Sequence, residues 1–344
     1  QAGKGSLAWD HACNVGAIGV TGTAAANKLA AGADVVLAVG TRLGDFATGS
    51  RALFADAKLI QLNVGAFDAA KHGALALVAD ADAGLEALGR ALREWKAPTA
   101  WTEQATRLAR AWNREVERVT APGKGKPTDA QVLGLVNSTI PAHSVVVCAA
   151  GGLPGELHKL WRASDSTSYH LEYGYSCMGY EIAGGLGVKL AQPKREVCVM
   201  IGDGSYLMMN SEIATSVALG AKLTIVLLDN RGFGCIERLQ GATGGASFNN
   251  ILGAEAPRVD FAAHARSLGA QAEHVEMKNF QAALQRALRA RKTAVVVIDT
   301  EPRRGTAEGG TWWDVAVTEV PRSTPQRKSR AAYERARKKQ ALGA

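Results

Sequence analysis

The sequence predicts an α/β protein with two doubly wound parallel-sheet domains, and three observations lead to this expectation. Short apolar runs recur along the chain, and most of them end at glycine or a polar residue, as buried parallel strands do. Segments with apolar residues at helical spacing separate these runs. The chain of 344 residues is also longer than the size at which one hydrophobic core usually stops growing, so two domains are expected.

The first predicted domain covers residues 1–121. Its strands are predicted at 34–40 and 58–64, and apolar residues recur at helical spacing over 24–31 and 83–95. This alternation of strand and helix is typical of a Rossmann-like doubly wound sheet. We expect this central domain to be incomplete at its start.

A linker of proline, glycine and lysine is predicted at 122–127, and a second domain at 128–310. Thr128 and Gln131 have the spacing of a helix capping box, which would open this domain. Its predicted strands are 144–148, 196–201, 223–228 and 294–299. Its predicted helices are 184–190, 210–219, 261–268 and 280–289. The last predicted segment, 311–344, is an irregular C-terminal extension that ends in a basic helix over 330–342.

The positive charge of the chain is concentrated in one segment. Residues 322–344 contain eight Lys or Arg and one acidic residue, and so carry +7 of the formal net charge of +8. Nucleic-acid-binding modules usually interleave basic and aromatic residues over a broader patch. We therefore expect no nucleic-acid partner and interpret this segment as a solvated helical face.

The cysteines and the apolar runs restrict the compartment. Five cysteines are widely spaced without a Cys-x-x-Cys pair, which disfavours a zinc site or a disulfide framework and favours reduced thiols in a cytoplasmic protein. No uninterrupted apolar run reaches the roughly 18 residues that cross a bilayer, so no membrane partner is expected. The first ten residues lack the pattern of a signal peptide. Because the first residue is Gln, we expect the chain to begin inside a longer protein.

Two polar motifs follow consecutive predicted strands. Asp203 lies in a Gly-Asp-Gly-Ser sequence directly after one strand, and Asn230 follows the next strand. Strands joined by one helical crossover are usually parallel and close in the sheet, so both side chains are expected at one crevice. A carboxylate, an amide oxygen and the backbone carbonyl near Gly232 suit Mg²⁺, which completes its octahedron with phosphate oxygens and water. The sequence therefore predicts a metal site that also holds a phosphate.

Glycines around this site are predicted to contact the phosphate group. Gly202 and Gly204 allow the backbone to approach closely, while Ser205 and the amides that open the following helix offer hydrogen-bond donors. Gly151 and Gly152 follow the strand at 144–148 and would form a third loop at the same edge of the sheet. An ordinary turn at the exit of the strand is the alternative interpretation for that third loop.

A Gly-Asp-Gly followed by Asp-Asn after the next strand resembles the signature of thiamine-diphosphate enzymes. Asp229 departs from that signature, which usually has asparagine there, but the ligating position is intact as Asn230. The resemblance implies thiamine diphosphate held through Mg²⁺ by Asp203, Asn230 and the Gly232 carbonyl. It also implies that Met178 supports the bent conformation of the cofactor, whereas a core-filling methionine is the alternative.

Four further reactive side chains fit ordinary roles. Cys177 and Cys235 have no base evident from the sequence and are interpreted as inert thiols. His158 and His170 could contact a substrate, but structural or surface roles are favoured for both.

A narrower resemblance extends over essentially the whole chain. The segments 202–213, 227–234 and 310–317, with 14–23 and 38–43 nearer the start, are similar to thiamine-diphosphate hydrolases that open a trihydroxycyclohexane-1,2-dione ring in myo-inositol breakdown. The resemblance implies a small cyclic dione as substrate, 5-deoxyglucuronate as product and a homodimer or homotetramer. It also implies that the activating glutamate lies in an N-terminal pyrimidine-binding domain, so this chain alone is expected to be inactive.

Two alternatives to this hydrolase remain open at the level of the sequence. An acetolactate-synthase-like decarboxylase and carboligase would share the fold and the cofactor signature. A noncatalytic subunit that binds the cofactor would keep the diphosphate site without the activating domain.

Overall fold

The computed structural model describes residues 2–172, 174–338 and 340, and it shows two sheets in which every described strand pair is parallel. The strands are β1 Val35–Val39, β2 Lys58–Asn63, β3 Leu75–Val78, β4 Val145–Cys148, β5 Tyr169–Leu171, β6 Val197–Gly202, β7 Thr224–Asp229, β8 Gln271–His274 and β9 Ala294–Asp299. The α-helices are α1 Ala24–Ala31, α2 Asp45–Thr48, α3 Ala66–Ala69, α4 Ala81–Ala91, α5 Thr99–Thr120, α6 Asp129–Thr139, α7 Leu153–Leu160, α8 Tyr180–Ala191, α9 Asp203–Met208, α10 Glu212–Ala218, α11 Gly234–Ala242, α12 Phe261–Ser267, α13 Met277–Arg289 and α14 Thr324–Arg337. Two short 3₁₀ helices lie at Ala2–Gly5 and Lys71–Gly73. The predicted α/β class with two parallel sheets is thereby confirmed.

The chain forms two compact units that interleave along the sequence. One contains Gln1–Asn14 and Arg114–Ala307, and the other contains Val15–Asn113 and Glu308–Ala344. The start of the chain is thus grouped with the second sheet, and the C-terminal extension with the first. The domain boundaries expected from the sequence stay a prediction, since spatial grouping alone does not define domains.

The larger sheet has the strand order β5-β4-β6-β7-β9-β8. Its central strands β6 and β7 are buried along almost their whole length, because helices cover both faces. Helices α8, α10 and α12 contribute Ile182, Ile213 and Phe261 to the core on one face. Helix α13 packs on β9, and α6 packs on α13 and α7. This explains why these strands are continuous apolar runs rather than alternating ones.

The helix α6 begins where the sequence predicts it. Thr128 is the N-cap, its side chain accepts from the Gln131 amide, and the Gln131 side chain accepts from the Thr128 amide at 3.0 Å. This is the predicted capping box, which satisfies two backbone donors at the helix start.

The smaller sheet has the order β1-β2-β3, and the C-terminal extension folds in the same unit. The Asp314 amide donates to the Ser50 hydroxyl at 2.8 Å, and the Trp313 indole donates to Asp45 at 2.7 Å. Helix α14 begins at Thr324, six residues before the predicted start at 330, and the predicted end at 342 lies outside the described residues. Among the described helices, none has the length and apolar character required to span a membrane.

Candidate cofactor and metal site

Three loops meet at one edge of the larger sheet because the strands that precede them are adjacent and parallel. β4 pairs with β6, and β6 pairs with β7, with Gly202 opposite Leu228 at the end of the ladder. The loop at 149–152 therefore lies at the same edge as Asp203 and Asn230. This carboxyl edge is where open parallel sheets bind their ligands.

Asp203 and Asn230 present unpaired oxygens at this edge. The Asp203 side chain is buried, and its Oδ2 accepts a hydrogen bond of 2.7 Å from the Gly232 amide. Its Oδ1 is buried without a hydrogen-bond partner among the described residues, and the same is true of Asn230 Oδ1. Buried polar atoms in native proteins are nearly always paired. Two such acceptors on consecutive strand ends therefore fit a divalent cation.

The protein supplies only part of a coordination shell. Within the described residues, no group of three or more His, Cys, Asp or Glu side chains could hold a metal ion. Mg²⁺ accepts this arrangement, because it is commonly bound through only one or two carboxylates and completes its shell with phosphate oxygens and water. The donor set thus fits a cation that arrives together with a phosphorylated ligand.

The electrostatic environment of Asp203 also favours a cation. The pKa of Asp203 is raised to about 7, first by burial and then by the negative charge of Asp229, while hydrogen bonds from the Gly232 and Asn230 amides oppose both effects. The Asp229 side chain is itself buried, and its Oδ1 accepts from the Arg231 amide at 2.8 Å. The residue that departs from the expected signature therefore adds a second negative charge near the first.

Gly232 requires its glycine for two reasons. Its φ of +146° lies in the region that favours glycine, and a Cβ there would overlap the Asn250 carbonyl oxygen. The Asn250 carbonyl also accepts from the Phe233 amide at 2.7 Å, and the Leu252 amide donates to the Arg231 carbonyl at 2.8 Å. The segment at 250–252 thus fixes the turn that carries Gly232, a contact that the sequence did not predict.

The other predicted glycines differ in what surrounds them. A Cβ at Gly202 would meet no protein atom within 4 Å, so space for a ligand exists there. A Cβ at Gly204 would lie 2.9 Å from the Phe233 ring. Gly151 has a positive φ of +87° and open space beside it, whereas a Cβ at Gly152 would overlap the Arg238 guanidinium. Gly202 and Gly151 are therefore the glycines that leave room for a ligand.

Ser205 and the Met178 loop are joined by hydrogen bonds. The Ser205 hydroxyl accepts from the Gly179 amide at 2.7 Å and donates to Glu181 Oε2 at 2.7 Å. Met178, which precedes Gly179, is half-buried. The structure thus brings the predicted Met178 and Ser205 segments together, and the role of Ser205 as a phosphate donor stays a prediction.

Sequence reasoning missed two charged residues beside these loops. Glu181 is fully buried in α8, and Arg238 of α11 donates to the Pro302 carbonyl at 2.6 Å beside Gly152. The available signal for Glu181 was one acidic residue between Tyr180 and Ile182 in an otherwise apolar helix start. No comparable signal marked Arg238.

The structure shows the environment of the two histidines and two cysteines that the sequence marked as candidate reactive residues. His158 is buried in α7, and His170 Nε2 lies 2.7 Å from the Tyr180 hydroxyl, with burial lowering the pKa of His170. Burial raises the pKa of the Cys235 thiol, which makes it a poorer nucleophile, and Cys177 is exposed.

Comparison with protein families matches both parts of the chain. Residues 149–299 match the thiamine pyrophosphate enzyme C-terminal TPP binding domain, and residues 1–88 match the thiamine pyrophosphate enzyme central domain. The first match includes all three loops at the carboxyl edge of the larger sheet.

Comparison with curated proteins finds relatives that share one name, 3D-(3,5/4)-trihydroxycyclohexane-1,2-dione hydrolase. The relative from Geobacillus thermodenitrificans (strain NG80-2) is 40% identical over 93% of this chain and 55% of its own length. The relative from Bacillus cereus (strain AH820) is 36% identical over 97% of this chain and 57% of its own length. The relative from Halalkalibacterium halodurans is 38% identical over 93% and 55%. The chain thus spans about half the length of these relatives.

Proposed function

The chain belongs to the thiamine pyrophosphate enzyme family, and on this premise we propose that the full-length protein hydrolyses a carbon–carbon bond of 3D-trihydroxycyclohexane-1,2-dione. The proposed reaction opens the ring to 5-deoxyglucuronate in myo-inositol catabolism. Relatives that are 36% to 40% identical and bear the name of this hydrolase support the proposal. Their similarity extends over nearly all of this chain and so includes both compact units.

The observation that carries the cofactor assignment is the pair of unpaired buried oxygens at Asp203 and Asn230. In the proposal these oxygens and the Gly232 carbonyl would hold Mg²⁺ together with the diphosphate of thiamine diphosphate. The metal would have a structural role, offsetting the buried negative charge of Asp203, rather than a role in activating water.

The remaining predicted residues would position the cofactor. Gly151 and Gly202 leave space for the diphosphate, and Gly152, Gly204 and Ser205 shape the loops around it. Met178 would support the bent conformation, since it precedes the Gly179 amide that is tied to Ser205. Bound thiamine diphosphate would supply the electron sink for bond cleavage, and the chain would supply binding, orientation and exclusion of water.

Substrate, assembly and location complete the proposal. A small cyclic dione is the proposed substrate, with neither nucleic acid nor membrane as partner, in a cytoplasmic homodimer or homotetramer. Leu207 and Met208 are 52% and 55% exposed at the end of α9, four and five residues after Asp203. Apolar side chains beside a cofactor site support a covering surface from another domain or subunit.

A substrate comparison tests this function. Purified full-length protein with thiamine diphosphate and Mg²⁺ is expected to consume the cyclic dione and to leave pyruvate unchanged, and removal of the divalent metal is expected to abolish turnover. Product formation from pyruvate would instead support the decarboxylase and carboligase alternative. Cofactor binding without turnover of either compound would support a noncatalytic subunit.

A further inference from the structure

One buried carboxylate connects three segments that contain residues predicted to contact the cofactor. Glu181 is the second residue of α8 and has no exposed surface. Its Oε1 accepts from the Ala150 amide at 3.2 Å. Its Oε2 accepts from the Gly179 amide at 3.1 Å and from the Ser205 hydroxyl at 2.7 Å.

These three donors come from separate parts of the chain. Ala150 is 31 residues before Glu181 in the loop after β4, and Ser205 is 24 residues after it in helix α9, which follows β6. Gly179 lies next to Met178. Each donor therefore belongs to a segment that contains a residue predicted to contact the cofactor, and the carboxylate is the group that all three segments share.

The three contacts of the Glu181 side chain require a carboxylate rather than an amide. A carboxylate offers only acceptors, so each of its oxygens can face an N–H or O–H donor. In a glutamine, the side-chain NH₂ would face either the Ala150 amide or the pair formed by the Gly179 amide and the Ser205 hydroxyl. A buried donor would then lose its acceptor in both orientations, which disfavours the observed loop positions.

We propose that Glu181 is a positioning residue, whose carboxylate holds the segments of Ala150, Gly179 and Ser205 in the arrangement that thiamine diphosphate binds. The inference rests on the proposed function, because that function assigns the cofactor to these loops. Glu181 is fully buried behind them and acts through the Ala150, Gly179 and Ser205 contacts. Its effect is therefore expected on cofactor affinity more than on the rate of the loaded enzyme.

A matched pair of variants of the full-length protein tests this role. Glu181→Gln replaces the carboxylate that contacts the three segments, whereas Glu196→Gln replaces a partly buried carboxylate just before β6, at the opposite edge of the sheet. Thiamine diphosphate is titrated at saturating Mg²⁺ with tryptophan fluorescence as readout, and Tm is measured without cofactor.

We expect the Kd of Glu181→Gln for thiamine diphosphate to rise about 10-fold or more, as one lost buried hydrogen bond would cause. We expect the Kd of Glu196→Gln to stay within about twofold, even though its Tm falls.

The kinetic readout separates positioning from general destabilisation. With saturating cofactor, kcat of Glu181→Gln is expected to approach the wild-type value, while the cofactor concentration for half-maximal activity rises with Kd. A wild-type Kd for Glu181→Gln, with a Tm lowered as in Glu196→Gln, would show that Glu181 serves the core only and would overturn the inference.

A second variant keeps the test decisive if Glu181→Gln does not fold. Ser205→Ala removes one of the three donors and leaves the Gly179 bond to Glu181, so a smaller rise in Kd, about threefold to tenfold, is expected. An unchanged Kd for Ser205→Ala would contradict the inference. If wild-type protein itself does not bind thiamine diphosphate with Mg²⁺, the proposed function fails first, and the inference fails with it.

Discussion

The two ends of strand β6 carry acidic residues with opposite surroundings. Glu196 directly precedes the strand, and both of its oxygens are paired, with Lys222 Nζ at 2.8 Å from each and the Thr224 hydroxyl at 2.6 Å. Asp203 directly follows the strand, and its Oδ1 has no partner among the described residues. The acidic residue before β6 therefore has both oxygens paired within the protein, whereas the acidic residue after β6 has one oxygen without a partner among the described residues.

The difference extends to other acidic groups near the carboxyl edge. Burial raises the pKa of Glu181 and Asp203, and it raises the pKa of Asp129, which lies near Arg238, to about 6. Native proteins pair buried charges unless a ligand or metal will do so. Buried acidic residues with raised pKa values therefore lie near the edge proposed to bind the cofactor, whereas Glu196 at the other edge is paired with Lys222.

The largest expected effect comes from Asp203→Asn, which removes the charge and keeps the shape. Loss of the outer-shell partners of metal ligands typically weakens metal affinity by 10- to 100-fold, and Asp203 is proposed as a ligand itself, so we expect Mg²⁺-dependent binding of thiamine diphosphate to weaken by more than about 100-fold. The protein without cofactor should be at least as stable as wild type, because a buried charge has been removed. Titration calorimetry of the full-length protein measures the first effect and denaturant unfolding the second. Unchanged cofactor binding would refute the metal assignment.

The reverse result is expected for Glu196→Gln at the other end of the strand. This variant loses the ion pair between Glu196 and Lys222, whose side chains are mostly buried, with 17% of Glu196 and 13% of Lys222 exposed. We therefore expect the free energy of unfolding to fall by about 2 kcal/mol. The double variant with Lys222→Met should recover part of that loss, since no unpaired charge would remain. Urea unfolding of the single and double variants measures both changes. A cofactor affinity that falls with stability would remove the distinction between the two edges.

The binding edge was accessible from the sequence because it depends on local patterns. Continuous apolar runs predicted β6 and β7, and the polar motifs after them predicted that Asp203 and Asn230 would lie at neighbouring strand ends, as the register confirms. The edge strands β5 and β8 were missed, because they are short and contain polar residues, so neither forms an apolar run. The exposed helix α5 was missed as well.

Contacts between distant segments could not be predicted in the same way. Glu181 meets loops 24 and 31 residues away, and Asn250 reaches the Gly232 turn from a segment without regular structure. Such contacts depend on how the loops fold over the strand ends, and no spacing in the sequence encodes them. From the sequence, Asp229 was only a departure from a signature, whereas in the folded protein its negative charge raises the pKa of Asp203.

The smallest expected effect concerns Asp129, at the start of α6, and depends on pH. The pKa of Asp129 in the folded protein is raised to about 6, first by burial and then by nearby Glu156, while the positive charge of Arg238 opposes both. Because the folded pKa is above the unfolded value of about 3.9, the ionised form is disfavoured in the native state, and stability is lost as pH rises through this window. The free energy of unfolding of Asp129→Asn should therefore match that of wild type near pH 4 and exceed it by about 1 to 2 kcal/mol above pH 7.

Denaturant unfolding at several pH values measures this difference. A stability difference that does not depend on pH would show that the positive charge of Arg238 already compensates the Asp129 carboxylate. Asp129 would then not belong with Asp203 and Glu181 among the acids whose pKa is raised near the carboxyl edge.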